Sequence, residues 1–100
     1  MPAYCLFDNV EVTDPDALAD YASRTLATIR AYSGRYLVIG GDVELKEGTS
    51  MVHFPVLIEF PTLDAANAWY DSPEYAPLKR LRHGAGRFNA IFMAGLPEPR

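Results

Sequence analysis

Residues 56–60 and 90–94 form two apolar runs of strand length, and neither alternates with polar residues as a strand with one wet face would. In the first, Phe54, Val56, Ile58 and Phe60 share one face, while His53, Pro55 and Leu57 join Glu59 on the other. Tyr36, Leu37, Val38 and Ile39 fail to alternate as well. A chain of 100 residues has room for two amphipathic helices of useful length, and two helices cover one face of a sheet. The second face must be covered from outside the chain, most economically by another copy of it, so a homodimer joined through its sheet faces is expected.

The order of elements follows from local signals. Residues 3–12 have strand composition, with Asp8 and Asn9 marking where the strand meets solvent or a pocket. Asp14 and Pro15 then start a helix as N-cap and first-turn proline, with Leu18, Ala22, Leu26 and Ile29 recurring at helical spacing. Gly34 is expected to end it in the left-handed conformation. Residues 35–39 form a second strand, Gly40 and Gly41 a turn or bulge before residues 43–45, and Glu47-Gly48 a hairpin into a third strand over about 53–60. Thr62 caps a second helix carrying Leu63, Ala66 and Tyr70 on one face with Trp69 beside it. Ser72-Pro73 opens a short helix that Pro77 should kink and Gly84 end, and residues 87–93 form the last strand.

Right-handed crossovers turn this order into an α+β ferredoxin-like plait, βαββαβ. It has a four-stranded antiparallel sheet, two main helices on one face and a short extra helix before the last strand. One domain, residues 1–95, and a tail, 96–100, account for the chain.

Composition excludes several functions. A 49% hydrophobic, 22% charged chain is globular, and no apolar run approaches the roughly 20 residues that cross a membrane. Nothing near the N-terminus reads as a secretory leader, which points to a cytoplasmic protein. The net charge of -4 argues against nucleic acid, and no aromatic RNA-binding strand is present. The single cysteine, Cys5, lies within a strand and reads as a small buried hydrophobe; no metal or cofactor set is apparent. Lys79, Arg80, Arg82 and Arg87 place four cations in nine residues, either as a solvated helix end or for an anionic ligand or partner.

Four stretches resemble a known family: Val12-Thr13-Asp14-Pro15; Gly34-Arg35-Tyr36-Leu37-Val38 with Gly40-Gly41; Ile58-Glu59-Phe60-Pro61; and Ala68-Trp69-Tyr70-Asp71-Ser72-Pro73-Glu74-Tyr75. They are similar to the bacterial domain of unknown function 1330, within the dimeric α/β-barrel superfamily. The resemblance implies a ferredoxin-like protomer and a dimer whose sheets pack into a barrel, with no established reaction. This chain departs at Ile39, His53 and Phe54, where members often carry a basic residue, and at Pro77.

Arg35 and Glu59 are charges that neighbouring strands bring within reach of each other, as a structural ion pair or as an anion-orienting group beside a candidate general base, Glu59. Trp69, Tyr70 and Tyr75 surround the junction of the second and short helices, as core or as the polar-tipped rim of a small pocket, with Asn9 at its edge. Arg35, Glu59, Trp69 and Tyr75 are expected to line one cavity. His53 and His83 have no matched acid in the sequence. Two functions stand: a cofactor-independent small-molecule enzyme of oxygenase, isomerase or decarboxylase type, implied by superfamily likeness, and a non-catalytic module that binds a small ligand or serves assembly.

Overall fold

A computed structural model describes residues 1–49 and 52–97. Its elements are β1 (Ala3–Val12), α1 (Pro15–Ala31), β2 (Arg35–Ile39), β3 (Pro55–Phe60), α2 (Leu63–Tyr70), α3 (Ala76–His83) and β4 (Gly86–Ala94). The strands form one antiparallel sheet in the order β2-β3-β1-β4, the ferredoxin-like arrangement. The first two helix starts are as read: Asp14 accepts the Ala17 N–H at 3.0 Å, and Thr62 Oγ1 accepts the Ala65 N–H at 3.0 Å, whereas α3 begins at Ala76 and Ser72 instead holds the turn before it, accepting the Tyr75 N–H at 3.1 Å.

Three local expectations are corrected. The residue in the left-handed conformation after α1 is Ser33, at φ 66°, while the next amide, of Gly34, donates to Ile29 O at 2.9 Å. Gly34 is needed for another reason: a Cβ there would meet the Phe60 ring at 2.5 Å and Ile29 Cγ2 at 2.7 Å, so α1 closes onto the sheet through a position with no side chain. Residues 43–45 are not a strand; the connection from β2 to β3 is irregular, and β3 begins at Pro55. Pro77 does not kink α3, because it falls in the first turn, where a missing N–H breaks no bond. Of the tail, residues 98–100 lie outside the described residues.

The core lies between the sheet and the buried sides of α1 and α2. Trp69, Tyr75, Phe60, Ile29, Ile58 and Cys5 are fully buried there, and Phe7 packs edge-on to Trp69 with ring centroids 6.0 Å apart. Burial pushes the Cys5 thiol up to about 12, leaving it protonated and inert.

The opposite face of the sheet carries Tyr4 and Leu6 of β1, Leu57 and Glu59 of β3, and Ile91 and Met93 of β4, paired across the strands as Leu6 with Leu57 and Ile91, and Tyr4 with Glu59 and Met93. Among the described residues no helix covers it. Ile91 is 56% exposed, and the fold is a slab 17 Å thin against 41 × 39 Å. Its accessible area, 6366 Å², exceeds the about 5,600 Å² expected of a monomer this size.

Asp8 fastens the start of β3. Its carboxylate accepts the His53 N–H at 2.8 Å and the Phe54 N–H at 2.7 Å, with His53 Nδ1 at 3.1 Å. Burial alone would raise its pKa; the donors from Phe54 and His53 outweigh this and hold it below the ordinary carboxylate value. A depressed folded pKa stabilises the protein above the unfolded value, about 3.9, and that stabilisation fades as pH falls through the lower folded value. Asp8→Ala, which strands two amide donors, is expected to lose about 2 kcal/mol at pH 7 in urea unfolding. The difference from wild type should shrink below about pH 4; a difference that is constant with pH would show that ionised Asp8 does not hold the loop.

Candidate functional site

The first two turns of α1 stand away from the sheet. Of α1 only Thr25 and Ile29 are buried, although the spacing had put Leu18, Ala22 and Leu26 in the same stripe. Ala19 and Ala22 are too small to fill the gap, and a cleft of about 530 Å³ remains between α1 and the β2-β3-β1 half of the sheet. Leu18, Val56 and Ile58 contribute to its apolar walls, and Ile39 and Phe54, both exposed, border it. Its polar points are few: Asn9, Tyr21, Tyr36 and Arg82. A concave, mostly apolar space with a few convergent polar groups has the form and size of a small-molecule site.

The tyrosines are protonated donors. Burial pushes Tyr36 up to about 12 and raises Tyr21, while Tyr75, raised by burial and by Tyr21, shares a 2.7 Å hydroxyl hydrogen bond with it. Arg82, on α3, is only 4% exposed. Its guanidinium carbon lies 5.0 Å from the Phe7 ring and 5.5 Å from the Phe88 ring, near the Tyr21 and Tyr75 hydroxyls, with Nη2 at 3.3 Å from His83 Nε2. Among the described residues no carboxylate, imidazole or thiol lines the cleft. It is equipped to orient a ligand and to meet negative charge, not to abstract a proton with a side-chain base.

The five residues expected to share one cavity are dispersed. Asn9 does line the cleft. Arg35 and Glu59 are direct cross-strand partners joined at 2.7 Å, with side chains 72% and 18% exposed. Because Ile58 and Phe60 point into the core, strand alternation turns Glu59 to the uncovered face, where the pair borders a separate depression beside Met1, Pro2 and Pro61. Trp69 and Tyr75 are fully buried, their rings 4.2 Å apart between centroids and tilted by 36°, and Trp69 Nε1 donates to Thr28 Oγ1 at 3.0 Å. Tyr70 packs against the core, its ring centroid 5.8 Å from Tyr75 and 5.5 Å from Phe92, with Lys79 Nζ 4.1 Å from its ring, and it borders a third depression toward β4.

The basic stretch is dispersed too: Arg87 pairs with Glu11 at 2.9 Å and Arg80 is exposed, whereas Arg82 turns inward. Sequence reasoning missed Tyr21, Tyr36 and Arg82 as cleft residues. A signal for Arg82 existed, since it follows the buried Leu78 by four positions and so shares its helix face. His53 proves to have an acid, Asp8, 45 positions away.

The family model described as Domain of unknown function (DUF1330) matches residues 2–96. No curated protein matches the chain. Among solved structures, RPA0582, a protein of unknown function from Rhodopseudomonas palustris, is 18% identical with a TM-score of 0.71, covering 96% of this chain and 83% of that one. SnoaB, a cofactor-independent oxygenase from Streptomyces nogalater, is 15% identical with a TM-score of 0.57, covering 99% and 96%. A dimeric ferredoxin-like protein of unknown function from Thermobifida fusca is 18% identical with a TM-score of 0.53, covering 93% and 88%. At such identities the likeness is one of fold. No helix among the described residues is long and apolar enough to cross a membrane.

Proposed function

The chain belongs to the family described as Domain of unknown function (DUF1330), and we propose that it is a homodimer in which each protomer binds a small, largely apolar molecule between α1 and the sheet. The observation that carries the ligand is the cleft itself: about 530 Å³ of apolar space with Asn9, Tyr21, Tyr36 and Arg82 at its polar points. Support for the dimer is the uncovered apolar face of Leu6, Leu57, Ile91 and Met93, together with the dimeric ferredoxin-like fold neighbour. A cytoplasmic location belongs to the same reading, supported by a lone, buried thiol.

Cofactor-independent oxygenation is the catalytic form of this proposal. Neutral hydroxyl donors and a buried cation facing an apolar space can stabilise negative charge that develops on a bound substrate. The substrate would have to ionise without help from a cleft carboxylate or imidazole. SnoaB lends the fold precedent.

The binding step has a direct test. The neutral aromatic probe 2-naphthamide is expected to bind the wild-type protein in calorimetry. Ala22→Trp, which fills the cleft from an exposed position on α1, should abolish that binding without lowering the melting temperature. Absence of binding to folded wild type by both this amide and the matched acid, 2-naphthoate, or undiminished binding by the Trp variant, would sink the cleft as the ligand site.

A further inference from the structure

We infer that the cleft is built for an organic acid, with the ligand's carboxylate seated at Arg82 and its apolar body against Leu18, Val56 and Ile58. This rests on the cleft being the ligand site and adds the chemical class of its occupant. Arginine remains charged in any protein environment, and burying its guanidinium is unfavourable unless acceptors surround it. Here Arg82 is 4% exposed, and among the described residues no carboxylate pairs with it. Its Nε is buried without any hydrogen-bond acceptor.

The neighbours of Arg82 satisfy it only in part: the Tyr75 hydroxyl oxygen is within hydrogen-bonding reach of the guanidinium, while Nε stays without an acceptor. The Phe7 and Phe88 rings offer only their π faces, and His83 Nε2, at 3.3 Å, is a long contact to one nitrogen. The Tyr21 and Tyr75 hydroxyls share one hydrogen bond with each other, so one of their two protons is free to point elsewhere. The site therefore holds unused donors beside an apolar wall. A carboxylate accepts from such a fork and from a hydroxyl at once, whereas a neutral ligand would leave the cation uncompensated. A phosphate ester fits less well, because Arg82 is the only cation lining the cleft among the described residues.

Calorimetry with 2-naphthoate and 2-naphthamide, matched in shape and differing in charge, tests this on the full chain. Wild type is expected to bind the acid at least about tenfold tighter than the amide, as a charge-assisted hydrogen bond requires. In Arg82→Met the ratio should fall to about one with amide binding retained, and Arg82→Lys should keep part of the preference, since it has the charge without the planar fork. Should Arg82→Met fail to fold, the wild-type ratio and the Lys variant decide. Equal affinities in wild type, or a preference that survives in Arg82→Met, would overturn the assignment. Binding of neither probe would instead remove the cleft reading beneath it, so the two failures are distinguishable.

Discussion

Trp69→Ala is expected to lose about 3–5 kcal/mol of unfolding free energy, a large part of the 5–15 kcal/mol that holds a typical domain together. The indole is fully buried and touches aromatic rings on every side: Phe60 at 5.3 Å between centroids, Phe7 at 6.0 Å, Tyr70 at 6.2 Å and Tyr75 at 4.2 Å. Removing it leaves a void whose lining belongs to β1, β3, α2 and the turn before α3, elements that cannot all move inward together. Thr28 Oγ1 would also lose its donor. Trp69→Phe keeps part of the ring packing and should lose less. Urea denaturation separates the two variants, and a loss below about 1 kcal/mol for Trp69→Ala would mean that the ring is not structural.

What the sequence revealed of this protein, and what it did not, divides by range. Signals carried within a few residues were legible: the Asp14 and Thr62 caps, the strand order and the burial of Ile58 and Phe60 against the outward Leu57 all follow from local chemistry and a period of two. The end of α1 was misread because a glycine and a left-handed position are only statistically linked; here Ser33 takes the conformation and Gly34 is kept free of a side chain by Phe60.

The site was the least legible part, because it arises from a separation between elements. Helical periodicity places Leu18 and Ala22 on the inner face of α1, but nothing in it says that the sheet lies too far away for them to be buried. Trp69 and Tyr75, whose polar tips suggested a pocket rim, spend those tips on Thr28 and Tyr21 inside the core. Asp8 and His53 meet across 45 positions with no motif to announce it.

Leu57→Lys is expected to convert the proposed dimer to monomers. Leu57 sits on the uncovered face in β3, directly opposite Leu6 of β1, which in turn pairs with Ile91 of β4. If that face meets its twin across a two-fold axis, every substitution enters the interface twice, and two like charges are buried where the neighbouring acid, Glu59, is already paired with Arg35. Each uncompensated charge costs about 3–5 kcal/mol, enough together to separate most dimers held by one apolar face. Within a lone protomer the same lysine reaches water and disturbs little, so the variant should remain folded by circular dichroism. Light scattering at micromolar concentration should give twice 11.1 kDa for wild type and 11.1 kDa for the variant. Asn67→Lys, an exposed change on α2, serves as the charge-matched control and should leave the mass unchanged. A Leu57→Lys protein that still scatters as a dimer would mean that the copies join elsewhere, and the apolar sheet face would then need another explanation.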